Sequence, residues 1–257
     1  EGGERAEVEK LREQYRQIIG KARKLGMDSY VMCPEVAVPA GFGAINLDDP
    51  ALWSLIGDRL REVFRALPEL SGYMLYLTEG IQDIELLPGS ETSKSARVRK
   101  LLETCWEACR AERRKMLVTT FIHSREMLDA VAEALRAFPP DPNFMVVHYC
   151  CPNDWGLYAL TNPSIGRVGP HPEVLGFDVC GENWGQGSHP FIESEFMARR
   201  LREARERGGH IVGLASYVAW SGHSVMGTLN EANLATAQAL LRSPAVVIIH
   251  GGGWTVG

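Results

Sequence analysis

Three observations predict an α/β fold. Short apolar runs rich in β-branched and aromatic residues alternate with longer amphipathic stretches along the chain. The runs are apolar on both faces, as in parallel strands covered by helices on each side. Polar residues (Glu35, Glu79, His123, Asp154 and Glu182) fall just beyond the C-terminal ends of the runs. In a (β/α)8 barrel such positions share one mouth, whereas a doubly wound sheet spreads them along a crevice. The expectation is an α/β fold of the TIM-barrel type, partial, with six of eight βα units.

The elements follow in order. A helix over about 5–25 carries the apolar stripe Leu11, Tyr15, Ile18 and Ile19, and Gly26 stands where a helix ends. A strand over 28–33 comes next. Asp49-Pro50 then starts a helix over 50–67, aspartate as cap and proline in the first turn. Its stripe is Leu52, Leu55, Ile56, Leu60, Val63 and Phe64. A strand over 72–77, a helix over 95–114 and a strand over 116–122 continue the alternation. Ser124 caps a helix over 124–137, and a strand over 144–150 leads into the proline- and glycine-rich loop 152–173, a functional loop in its composition. Strands over 174–180 and 210–217 flank a helix over 191–207 that ends at Gly208-Gly209, and a helix over 230–242 precedes the apolar run Ala245 to Ile249. Residues 1–243 read as the barrel domain and 244–257 as a strand and glycine-rich turn opening a second domain. The sequence starts at Glu1 inside a helical pattern and stops at Gly257 just after a strand, so a fragment is expected.

With 257 residues, 45% hydrophobic and 23% charged, the chain has ample material for a core. No apolar run approaches the roughly 20 residues of a membrane-spanning helix, so no membrane partner is expected. A net charge of −5 without a basic stripe argues against nucleic acid. Six cysteines, most in apolar runs, read as free buried thiols, which favours a reducing, cytoplasmic setting. A homodimer is compatible with all of this. Neither G-x-G-x-x-G nor a P-loop follows any strand, and no H-x-H or H-E-x-x-H pair occurs, so no cofactor and no metal are expected. His123, His148, His210 and His223 leave a metal-dependent hydrolase as an alternative.

Glu79, Asp154 and Glu182 are the candidate catalytic residues. Trp155 and Trp184 follow the latter two closely. Carboxylates beside aromatic platforms suit sugar cleavage, in which one acid protonates the leaving oxygen and another carboxylate activates water or attacks. Glu35, His123, Tyr149, Trp155, Trp184, Trp220 and His223 are the candidate substrate-binding residues for an oligosaccharide or glycoside. A non-catalytic carbohydrate-binding barrel is a second alternative.

Over about Ala6 to Leu241 the chain resembles the catalytic barrel of the family 67 α-glucuronidases. The likeness lies in Asp49-Pro50-Ala51-Leu52-Trp53, Leu67 to Tyr73, Thr78-Glu79-Gly80, Pro152-Asn153-Asp154, Gly181-Glu182-Asn183, Trp220-Ser221-Gly222-His223 and Ala232-Asn233, in that order. The resemblance implies an inverting glycosidase holding barrel strands three to eight, with Glu79 as general acid and Asp154 and Glu182 on the attacking water. Where the family grips its uronate with basic residues, this chain has Leu75 or Tyr76, Val118-Thr119-Thr120 and Tyr149. That implies a neutral or differently substituted sugar; Arg125 and Arg167 read as ordinary loop arginines, with replacement cations as the alternative. The last 13 or so residues, with His250-Gly251-Gly252-Gly253-Trp254, resemble the oxyanion-hole segment of α/β-hydrolase esterases, although no G-x-S-x-G nucleophile elbow occurs.

Overall fold

A computed structural model of the chain describes residues 2–34, 36–39, 41–77, 83–122, 124–152, 159–182, 189–220, 223–241 and 246–252. The side chains of 2–4, 217, 219, 220, 223 and 246–252 are outside that description. The chain divides into two compact units, Glu1–Val118 and Thr119–Gly257.

The first unit alternates helix and strand: α1 (Gly2–Lys24), β1 (Tyr30–Pro34), α2 (Pro50–Ala66), β2 (Gly72–Tyr76), α3 (Lys94–Ala111) and β3 (Lys115–Thr119), whose last residue falls in the second unit. The strands pair in parallel in the order β1–β2–β3, with Val31 opposite Tyr73 and Tyr73 opposite Met116. Local chemistry sets the helix ends. Asp49 accepts the N–H of Ala51 at 2.8 Å and Pro50 opens α2, while Ser93 accepts the N–H of Ala96 at 3.3 Å at the start of α3. Leu52, Ile56, Leu60 and Phe64 are the buried face of α2; Leu101, Leu102, Cys105 and Cys109 belong to that of α3. Gly72 is required where β2 meets β3, because a Cβ there would lie 2.2 Å from the Lys115 carbonyl oxygen.

The first helix departs from expectation. Of the stripe expected to face the core, Ile19 alone is buried, while Leu11, Tyr15 and Ile18 are exposed. Two arginines hold α1 to α2 instead: Arg12 donates to Glu62 at 3.0 Å and Arg16 to the Ala66 carbonyl at 3.2 Å.

The second unit holds α4 (Arg125–Ala137), β4 (Phe144–Tyr149), β5 (Glu173–Asp178), α5 (Ser194–Glu206), β6 (Ile211–Trp220), β7 (His223–Ser224), α6 (Ala232–Leu240) and β8 (Val246–Gly252). Its sheet runs β4–β5–β6–β8, all parallel, and the short β7 turns back antiparallel on the end of β6. Every residue of β4 and β5 is buried, as expected of strands covered on both faces.

The barrel expectation is corrected. A barrel requires the last strand to return and pair with the first. Among the described residues no strand pairs back on β1 in this way, and the sheet is not closed. The C-terminal segment is corrected as well: Gly251 and Gly252 are strand residues of β8, in register with Ala219 and Trp220, rather than a glycine turn of the oxyanion-hole kind. Residues 253–257 lie outside the described residues. No described helix is long and apolar enough to cross a membrane.

Candidate functional site

The carboxyl end of β5 is built around Asp178. Its Oδ1 accepts the N–H groups of Cys180 at 3.2 Å and Gly181 at 3.0 Å and the Cys180 thiol at 3.1 Å; its Oδ2 accepts the N–H of Glu182 at 2.7 Å. These bonds turn the chain back on itself directly after the strand. Gly181 makes the turn at φ +75°, a conformation that favours glycine. Burial raises the Asp178 carboxyl above the usual carboxylate range, against the pull of the four donors.

Two buried amides lock the next segment. Asn230 donates to the carbonyls of Cys180 and His189, both at 3.2 Å, and accepts the N–H of Phe191 at 2.6 Å. Asn233 donates to the carbonyls of Val179 at 3.2 Å and Phe191 at 2.6 Å and accepts the N–H of Glu193 at 3.0 Å. Each amide uses both its donor and its acceptor, as buried amides must.

Glu193, immediately before α5, is the exception among these satisfied groups. Its residue is 6% exposed, and its buried Oε1 has no hydrogen-bond partner. Burial first, then the nearby charge of Asp178 and Cys151, pushes its carboxyl up to about 9. At neutral pH it is therefore a carboxylic acid, able to donate. Next to it in the electrostatic field are Cys150 and Cys151, whose sulfurs lie 3.7 Å apart. Burial drives the Cys150 thiol upward, so it is a poor nucleophile.

A second polar cluster joins β4 and β5. Thr120 Oγ1 and His148 Nδ1 are 2.9 Å apart, and His148 Nε2 lies 2.8 Å from Glu173 Oε2, an ion-pair distance without hydrogen-bond alignment. Glu173 also accepts the N–H groups of Gly166 at 3.0 Å and His210 at 2.9 Å. Burial opposes its ionisation, but His148 and the two N–H donors win and hold its carboxyl below the usual range. The sequence hydroxyl, imidazole, carboxylate has the outline of a nucleophile relay. All three groups are buried and each is held by a partner within the cluster or by backbone N–H groups, which accounts for them as structural.

A hollow of about 350 Å³ is lined by Ala159, Leu160, Thr161, Arg199, Arg200, Glu203 and Arg207. Its charge is largely spent internally. Arg200 bonds Thr161, Glu203 and the Ala159 carbonyl, and Arg207 donates to the carbonyls of Thr161 and Asn162.

Of the expected site residues, Glu35, Glu79, His123, Asp154, Trp155 and Trp184 lie outside the described residues. Trp220 and His223 are placed through their backbones only, as an antiparallel pair joining β6 and β7. Tyr149, the last residue of β4, is buried, with its ring 4.9 Å from that of Phe121. Glu182 is half-buried at the end of the Asp178 turn. Arg125 and Arg167 both pair with Asp129, at 3.3 and 2.7 Å, which accounts for them as surface ion pairs. Among the described residues no group of three or more His, Cys, Asp or Glu is placed to hold a metal ion. Sequence reasoning missed Asp178, Glu193 and Asn230. Asp178 had one signal, a carboxylate inside an otherwise apolar strand run.

The sequence matches no known protein family and no curated protein. Among solved structures, the fold is similar to that of Streptococcus suis SuiB bound to S-adenosylmethionine, with a TM-score of 0.41 and 11% identity over 94% of this chain. The chain spans about half of that protein, 52%. A likeness at that level assigns no activity. The α-glucuronidase resemblance is corrected accordingly: the comparisons give no support to a glycosidase, to polysaccharide degradation or to an inverting mechanism. The sugar-cleaving roles it implied for Glu79, Asp154 and Glu182 fall with it. Short motifs in a plausible order arise readily where helices and strands alternate, which is why the likeness misled.

Proposed function

We propose that the second unit binds a small polar molecule at the carboxyl ends of β4 and β5 and acts on it by proton transfer, with Glu193 as the acid. Open parallel sheets take their ligands beyond the carboxyl ends of the strands. The observation that carries the reading is the Glu193 carboxyl, buried, unpartnered at Oε1 and pushed up to about 9. A group kept at such cost to stability is a mark of functional sites. Its proton passes to an acceptor atom of the ligand, leaving a carboxylate that solvent reprotonates. Glu182, half-buried at the same strand end, is the candidate base. The carboxyls of Asp178 and Glu182, with Glu193 held as a neutral donor, favour a neutral or cationic ligand over an anion. The six cysteines, all free, fit a reducing compartment, which we propose as its setting.

The test is a ligand-observed NMR screen of neutral, cationic and anionic small molecules against the chain and its Glu193→Ala variant. Neutral or cationic ligands that bind the parent and lose binding in the variant are expected. Ligands that bind both equally, or anions alone, would contradict the reading. For any ligand that is turned over, Glu193→Gln keeps the shape and removes the proton, so turnover falls by about 10²–10⁴-fold.

A further inference from the structure

The first helix carries a pattern that its own fold does not use. Val8, Leu11, Tyr15, Ile18, Ala22 and Leu25 follow one another at spacings of three and four, the a and d positions of a coiled-coil seam over three heptads. The five large ones are exposed, from Leu11 at 43% to Leu25 at 72%. A helix of 23 residues gains its stability by burying an apolar face, and among the described side chains of α1 Ile19 alone is buried.

The flanks of the seam differ. On one side the e positions, Arg12 and Ile19, are turned to the protein: Arg12 reaches Glu62, and Ile19 is buried. On the other side the g positions, Glu7, Gln14 and Lys21, are all exposed. They read acidic, neutral, basic along the helix, a self-complementary order. Laid antiparallel on a second copy about a two-fold axis, Val8 meets Ile18, Leu11 meets Tyr15, and each Glu7 faces the other copy's Lys21. In a parallel pair the same seam would set Glu7 against Arg12 of the other copy, a residue already committed to Glu9 and Glu62.

We infer that α1 is the interface of a homodimer, in which the two α1 helices pair antiparallel through Val8, Leu11, Tyr15 and Ile18, with Glu7–Lys21 ion pairs at both ends. This inference is independent of the proton-transfer reading, since it concerns only the first unit.

Sedimentation velocity of the full chain over a range of micromolar concentrations tests it. A concentration-dependent dimer is expected for the parent, and a monomer for Ile18→Glu, whose position is exposed within the protomer, so that the circular dichroism of the fold is kept while the melting temperature loses its dependence on concentration. Glu7→Lys and Lys21→Glu should each weaken the dimer roughly tenfold, and the two changes together should restore it. A parent chain monomeric throughout would overturn the inference. So would a dimer insensitive to Ile18→Glu, or one rescued by pairing Glu7→Lys with Arg12→Glu rather than with Lys21→Glu.

Discussion

Asn233 accepts the backbone N–H of Glu193 at 3.0 Å, and so fixes the position of a carboxyl that has no hydrogen bond at Oε1. The same amide holds Val179 and Phe191, tying the end of β5, the approach to α5 and the start of α6 together. Truncation would remove three hydrogen bonds to backbone groups, two of them fully buried. Asn233→Ala is expected to cost about 2–4 kcal/mol, read from the urea midpoint.

Glu193 shapes the pH dependence of stability. Its carboxyl is pushed up to about 9 in the folded chain, against 4.5 in an ordinary glutamate. Between these values the unfolded chain has released the proton and the folded chain retains it. Stability therefore falls as pH rises through that window, whereas below about 4.5 the two states are equally protonated and no cost arises. Glu193→Gln, which cannot ionise, is expected to raise the melting temperature at pH 8 more than at pH 5. Equal shifts at both pH values would mean that the parent carboxyl is already ionised.

Glu173 acts in the opposite sense. Its folded carboxyl lies below the usual range, so its contribution is present above about 4.5 and is lost as pH falls through the folded value. Its two oxygens receive different N–H groups, from Gly166 and His210. In Glu173→Gln, either orientation of the amide sets an NH₂ against one of those donors and leaves His148 without its anion. A loss of about 3–5 kcal/mol at pH 7 is expected in chemical denaturation, shrinking as pH falls.

The thiols supply a probe of integrity. Cys105, Cys109, Cys150, Cys151 and Cys180 are buried, and burial pushes Cys109 up to about 12. A thiol reagent should find these five slow to react in the native chain, with Cys33 first, and all six fast in guanidinium. Rapid reaction of more than one thiol in native conditions would contradict the burial of these five.

Local chemistry was readable in the sequence and long-range pairing was not. Asp49-Pro50 and Ser124 mark the starts of α2 and α4 because capping depends on residues two or three positions away. The apolar runs of β2, β4 and β5 announce themselves because both faces are covered. Closure of a sheet depends on which strand lies beside which, and alternation alone says nothing about it. The stripe of α1 looks the same in sequence whether it meets its own core or another molecule. Glu193 reads as an ordinary carboxylate before a helix, because its setting is made by residues distant in the sequence, such as Cys151 and Asn233, 40 residues further along.

Glu193 is held as an acid by its burial. ¹³C NMR of the chain with carboxyl-labelled glutamate, assigned with Glu193→Gln and titrated from pH 4 to pH 10, reads its ionisation directly. A Glu193 resonance titrating near 9, well apart from the other glutamates, is the predicted result. A Glu193 resonance that titrates near 4.5, the ordinary glutamate value, would contradict it.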